Sequence, residues 1–339
     1  MGGMLPIYNE LARLEALEPS MRFGDGADFL TWRAAARETL ARLLGLANFI
    51  PCAPKTEIYE QTGYEDHSEI FFGVETEPGY FAPCILALPE KTVSEKPPLM
   101  ICLQGHSTGM HLSLGREKYP DDKPDIESGD RDFAVQALRR GFAALCIEQR
   151  CFGIAGGTPR PACRHVALTA LLAGRTLIGG RVWDISRVLD AVTDVFSDKF
   201  DPAKIYCMGT SGGGTATLYA AALETRIAGA ISSCAFCGFE RSIVGHEHCA
   251  CNYVPGVRRY FDMGEIAAMA APRPLVIVNG KDDPIFPLDG TVAPFAEALR
   301  CYRAAGAENG VRHVIGNEGH RFYAADAWPV FLELIGKEA

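Results

Sequence analysis

Residues 204–222 read KIYCMGTSGGGTATLYAAA. The apolar run before Gly209 has the texture of a buried strand, and the alanine-rich run after Gly214 that of a helix. Between them Gly209-Thr210-Ser211-Gly212-Gly213 fits the spacing G-x-S-x-G. That spacing is short enough to arise by chance, but a strand running in and a helix running out give it a mechanical meaning. A serine on a one-residue corner sits in a sparsely allowed backbone region, at a cost of roughly 1–3 kcal/mol. The residues two before and two after it must be small if strand and helix are to approach closely. Ser211 is therefore read as a nucleophile thrust out of a tight turn. The Gly212 N–H, at the start of the helix, is read as a donor to a developing oxyanion.

The texture around this stretch fits the same plan. "DFLTWRAAARETLARLLGL" spaces Phe29, Trp32, Ala36, Leu40 and Leu43 on one helical face. From Glu57, "EIYEQ", "EIFFGVET" and "YFAPCILALP" are short runs separated by turn residues, expected to be antiparallel strands. Then "LMICLQG", "FAALCIEQR", "KIYCMG", "IAGAISSCAF", "PLVIVNG" and "VRHVIG" alternate with helix-like segments. That alternation implies an α/β fold, a mostly parallel sheet with helices on both faces. One catalytic domain over 51–339 is expected, preceded by a helical extension over 1–50. The stretch from Phe236 to Met269 is a long excursion before the next strand and is expected to overhang a site.

A serine hydroxyl needs a base, and the base needs a carboxylate to orient it. On a fold of this kind the order along the chain is serine, acid, histidine. "VIVNGKDDPIFP" places Asp283, followed by Pro284, just past a strand, better aimed than Asp282 to reach back across the strand ends. "HVIGNEGHRFY" places His320 in the loop after the last strand, whereas His313 lies inside that strand. "LQGHSTGMH" supplies the second oxyanion donor, the backbone N–H of His106. The side chains of Gln104, Ser107 and His111 in that loop, with His246 and His248 in the excursion, are candidates to line the acyl pocket.

Cys234 and Cys237 in "CAFC", with "GHEHCAC" at 245–251, form the densest patch of metal-capable side chains. C-x-C is poor spacing for a structural zinc, and H-E-H lacks the i, i+4 step of a helical zinc pair. No metal and no cofactor are expected, and the patch is read as packing beside the catalytic mouth.

The chain has 339 residues, 48% hydrophobic and 22% charged, with a formal net charge of -9. An acidic balance without Lys/Arg runs argues against a nucleic-acid partner, and no apolar stretch is long enough to span a membrane. Twelve cysteines and no secretion signal at the N-terminus lead to the expectation of reduced thiols in the cytoplasm. The expected partner is a small-molecule ester substrate, and a homo-oligomer is compatible with this composition.

The ordered set "LQGHSTG", "GTSGGG", "NGKDDPIFP", "EGHRFY" resembles the α/β-hydrolase superfamily, most of all its dienelactone-hydrolase-like and acetyl-xylan-esterase-like branch. The resemblance runs from about Glu57 to the C-terminus. It implies an eight-stranded sheet, a Ser211–His320–Asp283 triad, and an oxyanion hole from the N–H groups of His106 and Gly212. The implied reaction is hydrolysis of carboxylic esters through an acyl-enzyme: short-chain acyl or acetyl esters, on a carbohydrate or a small metabolite. A prolyl-oligopeptidase-like serine peptidase and a non-catalytic ligand receptor on the same fold are the alternatives. Three departures stand out: dienelactone hydrolase proper has a cysteine in place of Ser211, Gln104 replaces the usual histidine, and Cys151 stands where a glycine often follows the arginine.

Overall fold

In the computed structural model, which describes residues 5–90, 96–156 and 160–337, every apolar run singled out above becomes a strand of one sheet. These are β1 (Thr56–Gly63), β2 (His67–Glu77), β3 (Tyr80–Pro89), β4 (Pro98–Leu103), β5 (Ala143–Ile147), β6 (Asp201–Thr210), β7 (Ile227–Ser233), β8 (Leu275–Gly280) and β9 (Val311–Gly316). Their order is β1-β2-β3-β5-β4-β6-β7-β8-β9. The first four in that order pair antiparallel, and from β5 onward every pair is parallel.

The sheet has nine strands rather than the eight implied by the resemblance. The additional edge strand is β1, which pairs with β2 along its length from Thr56↔Val74 to Gly63↔Ser68. Its residues are largely exposed, as an outer strand with one free edge must be.

The central strands are buried on both faces, and their alternating side chains feed two cores. Leu99, Ile101 and Leu103 of β4 face one core, which the helices Leu177–Val195 and Gly212–Leu223 cover with Ile178, Val182, Ile185 and Tyr219. Met100 and Cys102 face the other, covered by helices Phe133–Arg139 and Ala324–Leu334 through Phe133, Trp328 and Phe331. The helix Phe29–Leu44 is capped by Asp28, whose carboxylate accepts from Thr31 N–H at 2.7 Å. It buries Phe29, Ala36, Leu40 and Leu44 in the first core, so the N-terminal segment packs into the same interior as the sheet. No helix among the described residues is long and apolar enough to cross a membrane.

Chain order reverses at β4: β5 lies on one side of it and β6 on the other. Loops leaving the carboxyl ends of β4 and β6 therefore diverge and open a crevice, the usual ligand position in an open α/β sheet. Leu103 pairs with Gly209 at this end, so the loop carrying His106 and the turn carrying Ser211 leave the sheet side by side.

His313, within β9, shows how burial acts on a titratable core residue. Burial lowers its imidazole from 6.5 to about 4, and its Nε2 lies 3.1 Å from Asn279 Oδ1. The native state stays neutral while the unfolded chain takes up a proton below 6.5, so the unfolded state binds more protons and stability falls with pH. This loss begins as pH drops through 6.5 and stops growing at about 4. Urea midpoints at pH 7.5 and pH 5 should differ less in His313→Gln than in the parent; an unchanged difference would remove the residue from this account.

Candidate active site

The corner at Ser211 is built by close approach of backbones. Ser211 is the residue before the helix Gly212–Leu223 and has φ 53 and ψ −123, a left-handed position for a non-glycine residue. Its N–H donates to Ser233 O at 2.8 Å, and its carbonyl accepts from Thr215 N–H at 2.9 Å. A Cβ on Gly209 would stand 2.6 Å from Gly213 O, and one on Gly213 would stand 2.1 Å from Leu103 O. The glycines two before and two after the serine are where strand, helix and neighbouring strand meet.

Asp283 lies just past β8 and is 3% exposed, whereas Asp282 beside it faces solvent. One carboxylate oxygen of Asp283 accepts main-chain N–H groups of Ile285 at 2.8 Å and Phe286 at 3.1 Å. The other lies 2.7 Å from His320 Nδ1, which donates to it. Burial pushes this carboxyl up, but His320 and the two amides outweigh it and hold the group below the usual carboxylate range. Asp283 thus remains an anion, able to fix the imidazole tautomer that leaves Nε2 free to accept a proton.

The segment after Asp283 borders the serine's cavity. Phe286 stacks on the His320 ring, with centroids 5.9 Å apart and planes 17° apart, and it walls the same cavity of about 430 Å³ that Ser211, Gly212 and His106 line. Ser233, which holds the Ser211 N–H, also donates its hydroxyl to Arg321 O at 3.1 Å. Arg321 is tied in turn to Asp130 and Glu318 at 2.8 and 2.9 Å, which fixes the His320 loop. No hydrogen bond joins Ser211 Oγ to His320 among the described residues. Such bonds are commonly long before substrate enters. His106 and Gly212 both line this cavity, with the His106 ring against Gly212: a Cβ there would be 2.8 Å from His106 Nδ1.

Of the expected pocket residues, His246 and His248 line the cavity. His248 Nε2 donates to Ser242 Oγ at 3.2 Å, and that hydroxyl donates to Ile285 O at 2.8 Å, so His248 fastens the excursion to the Asp283 loop. The other three stand elsewhere. Gln104 is buried and donates to Ser113 Oγ at 2.8 Å and Arg131 O at 2.7 Å, so it braces the loop from within. Ser107 is buried without a partner for its hydroxyl. His111 pairs with buried Asp122 at 2.8 Å and faces a separate, larger cavity of about 630 Å³ behind the loop. Ser211 lines the smaller cavity and not the larger one.

Sequence reading named Cys234, Cys249 and Cys251 only as a patch beside the catalytic mouth, and the structure gives them specific partners. Cys234, at φ 47 just after β7, donates its thiol to Arg321 O at 3.1 Å and lies against Asp283 and His320. Burial and the Asp283 charge push that thiol up to about 12, so it serves as a neutral donor. Cys163, Cys249 and Cys251 form a cluster around His106; C-x-C spacing read on its own argued against it. These four residues are one of two groups among the described residues that could hold a metal ion, the other being Cys234, Asp283 and His320.

No family model matches the chain. Over 295 residues, 85% of the chain and 94% of the relative, it is 26% identical to a Bacillus subtilis (strain 168) protein described as "Putative hydrolase YtaP". The crystal structure of a "putative acetyl xylan esterase" from Bacteroides fragilis NCTC 9343 superposes with TM-score 0.77 at 15% identity, covering 92% of this chain and 82% of that one. A glucuronoyl esterase from Solibacter usitatus superposes with TM-score 0.68 at 15% identity, over 95% and 97%. This is the α/β-hydrolase fold. Residues 284–286 after β8 line the Ser211 cavity, and the loop after β9 joins them through the Asp283–His320 hydrogen bond.

Because the Gly213 position has a carbonyl 2.1 Å from any added Cβ, Gly213→Ala must push β4 and the helix apart. It should lower unfolding free energy by about 1–3 kcal/mol in urea titrations. Stability equal to the parent would show that the corner is not closely packed.

Proposed function

We propose that the chain is a serine hydrolase acting on carboxylic esters through Ser211, His320 and Asp283. The observation that carries this reading is the Asp283–His320 hydrogen bond, next to residues 284–286 that share one small cavity with a left-handed serine. The curated relative's description as a hydrolase and the esterase names of the structural neighbours support the same reaction class.

In the proposed cycle Ser211 Oγ attacks the ester carbonyl carbon while His320 Nε2 takes the hydroxyl proton. Asp283 accepts the Nδ1–H and stabilises the resulting imidazolium. The carbonyl oxygen becomes an oxyanion held by the N–H groups of His106 and Gly212, each donor lowering the barrier by roughly 2.7–4 kcal/mol. Collapse breaks the bond to the alkoxy oxygen, which leaves as an alcohol carrying the proton from His320. Water then attacks the acyl-enzyme, giving its proton to His320, and the acid departs as the Ser211 hydroxyl is restored.

The acyl group is short, acetyl or a near relative, and the alcohol is a carbohydrate or another small polyol. Support comes from the size of the cavity and its polar imidazole walls, His246 and His248, together with the neighbours' names. The N-terminal segment over 1–50 is proposed as an extension that completes the core rather than a separate unit.

Ser211→Ala should reduce hydrolysis of p-nitrophenyl acetate by about 10³-fold or more. A fluorophosphonate should label Ser211 in the parent and not in the variant. Undiminished turnover, or preference for a dipeptidyl anilide over acetyl esters, would reject the proposal.

A further inference from the structure

The geometry points to a structural zinc site formed by His106, Cys163, Cys249 and Cys251, beside the serine turn and distinct from it. Three separate segments deliver these side chains. His106 follows β4; Cys163 is the first residue of the helix Cys163–Leu172; Cys249 and Cys251 flank the first residue of a short 3-10 turn, Ala250–Asn252. Both sulfurs of this C-x-C pair reach the same imidazole, that of His106.

The donor atoms all lie within 4.8 Å of one another. His106 Nε2 is 3.2 Å from Cys251 Sγ and 4.0 Å from Cys163 Sγ. A tetrahedral zinc with ordinary bond lengths sets sulfur–nitrogen separations of roughly 3.6 Å and sulfur–sulfur separations of roughly 3.8 Å. The two measured His106–sulfur distances bracket the nitrogen–sulfur value, and the remaining donor pairs lie no farther apart than 4.8 Å. Three sulfurs and one imidazole suit zinc better than oxygen-seeking magnesium or calcium, and four protein donors make a closed, structural site.

An independent observation lies next to the sulfurs. Arg181 is 1% exposed; its Nη2 donates to Cys163 Sγ at 3.4 Å and to Arg150 O at 3.1 Å, its guanidinium lies over the Phe152 ring at 4.1 Å, and its Nε and Nη1 have no hydrogen-bond partner among the described residues. No carboxylate pairs with it among the described residues, although a buried cation needs a counter-charge. Zinc bound by three thiolates and a neutral imidazole carries one net negative charge, which matches the guanidinium. The N-terminus of the Cys163 helix favours the same thiolate state. A cystine between two of the sulfurs would leave the third sulfur and His106 outside it and give Arg181 no anion.

Zinc here would join the loop that carries the proposed oxyanion donor to the excursion that walls the pocket. His106 contributes its ring to the metal and its main-chain N–H to the cavity, and Cys249 lines that cavity too. The metal site stands on its ligands alone, whereas its positioning role rests on the esterase reading.

Untagged full-length protein, dialysed against metal-free buffer, should contain about one zinc per chain by mass spectrometry of the metal. Cobalt exchanged into the parent should give thiolate charge-transfer bands and a tetrahedral ligand-field spectrum. Cys163→Ser and Cys251→Ser should each lower metal retention at least about ten-fold. Cys151→Gly relieves a left-handed φ of 72 and leaves the four ligands intact, so it should keep the metal. Less than about 0.1 zinc per chain with no tetrahedral cobalt spectrum in the parent would overturn the site. A disulfide among these cysteines in freshly isolated, unreduced protein would overturn it as well. Chelation should lower kcat on p-nitrophenyl acetate with KM little changed; full kcat without metal would overturn the positioning role. The metal content is read without substrate, so it separates failure here from failure of the esterase proposal.

Discussion

The arrangement depends on a single steric constraint, the approach of three backbones around the Ser211 turn. Gly209, Gly213 and Leu103 O occupy space that no side chain can share. The energy stored in the left-handed serine, of the order of 1–3 kcal/mol, is held there by tight packing on every side. Ser211 N–H is secured by Ser233, and its carbonyl closes the first turn of the following helix. Because β4 and β6 are neighbours in register, the same packing also sets the distance between the His106 loop and the serine.

Around that fixed point the loops are braced by polar groups the reaction would not use. Gln104 anchors the His106 loop from beneath, Arg321 ties the His320 loop to Asp130, and His248 ties the excursion to the residues after Asp283 through Ser242. Hydrogen bonds of this kind add modest net stability each, but losing one partner leaves a buried group unpaired, which makes the positions hard to abandon. Farther back, Arg150 makes a two-point contact with Asp184 at 2.7 and 2.8 Å and also reaches Glu77 at 2.9 Å, holding the end of β5 against the helix Leu177–Val195. Cys151 follows immediately with φ 72, which explains physically why a glycine is a natural occupant of that position.

Charge is distributed with the same economy. Asp283 keeps its ionisation by hydrogen bonding in spite of burial, and Cys234 beside it stays a neutral thiol because burial and that anion oppose a second negative charge. Two adjacent acidic groups pushed in opposite directions leave one anion facing the imidazole, as the proposed cycle requires. Arg181, on the far side of His106, is a buried cation set among sulfur atoms.

The sequence alone determined the strand runs and the serine corner, and it proposed Asp283 over Asp282 and His320 over His313, the pair that the structure joins by a hydrogen bond. Each is local: period-two or continuous apolar runs, glycines where backbones must touch, and a polar residue just past a strand end. It also carried β1, since the run at Glu57 was visible, although the eight-strand count implied by the resemblance left no place for it. Tertiary structure decided what depends on the meeting of distant segments. Gln104 and His111 lie in the right loop but turn inward because partners at 113, 131 and 122 are waiting there. Cys163, Cys249 and Cys251 sit far apart or at unpromising spacing along the chain, and only the packing of a helix and a 3-10 turn against His106 makes them one group. Side-chain direction after a loop is set by whichever buried donors and acceptors must be satisfied, and those partners are not written next to it in the sequence.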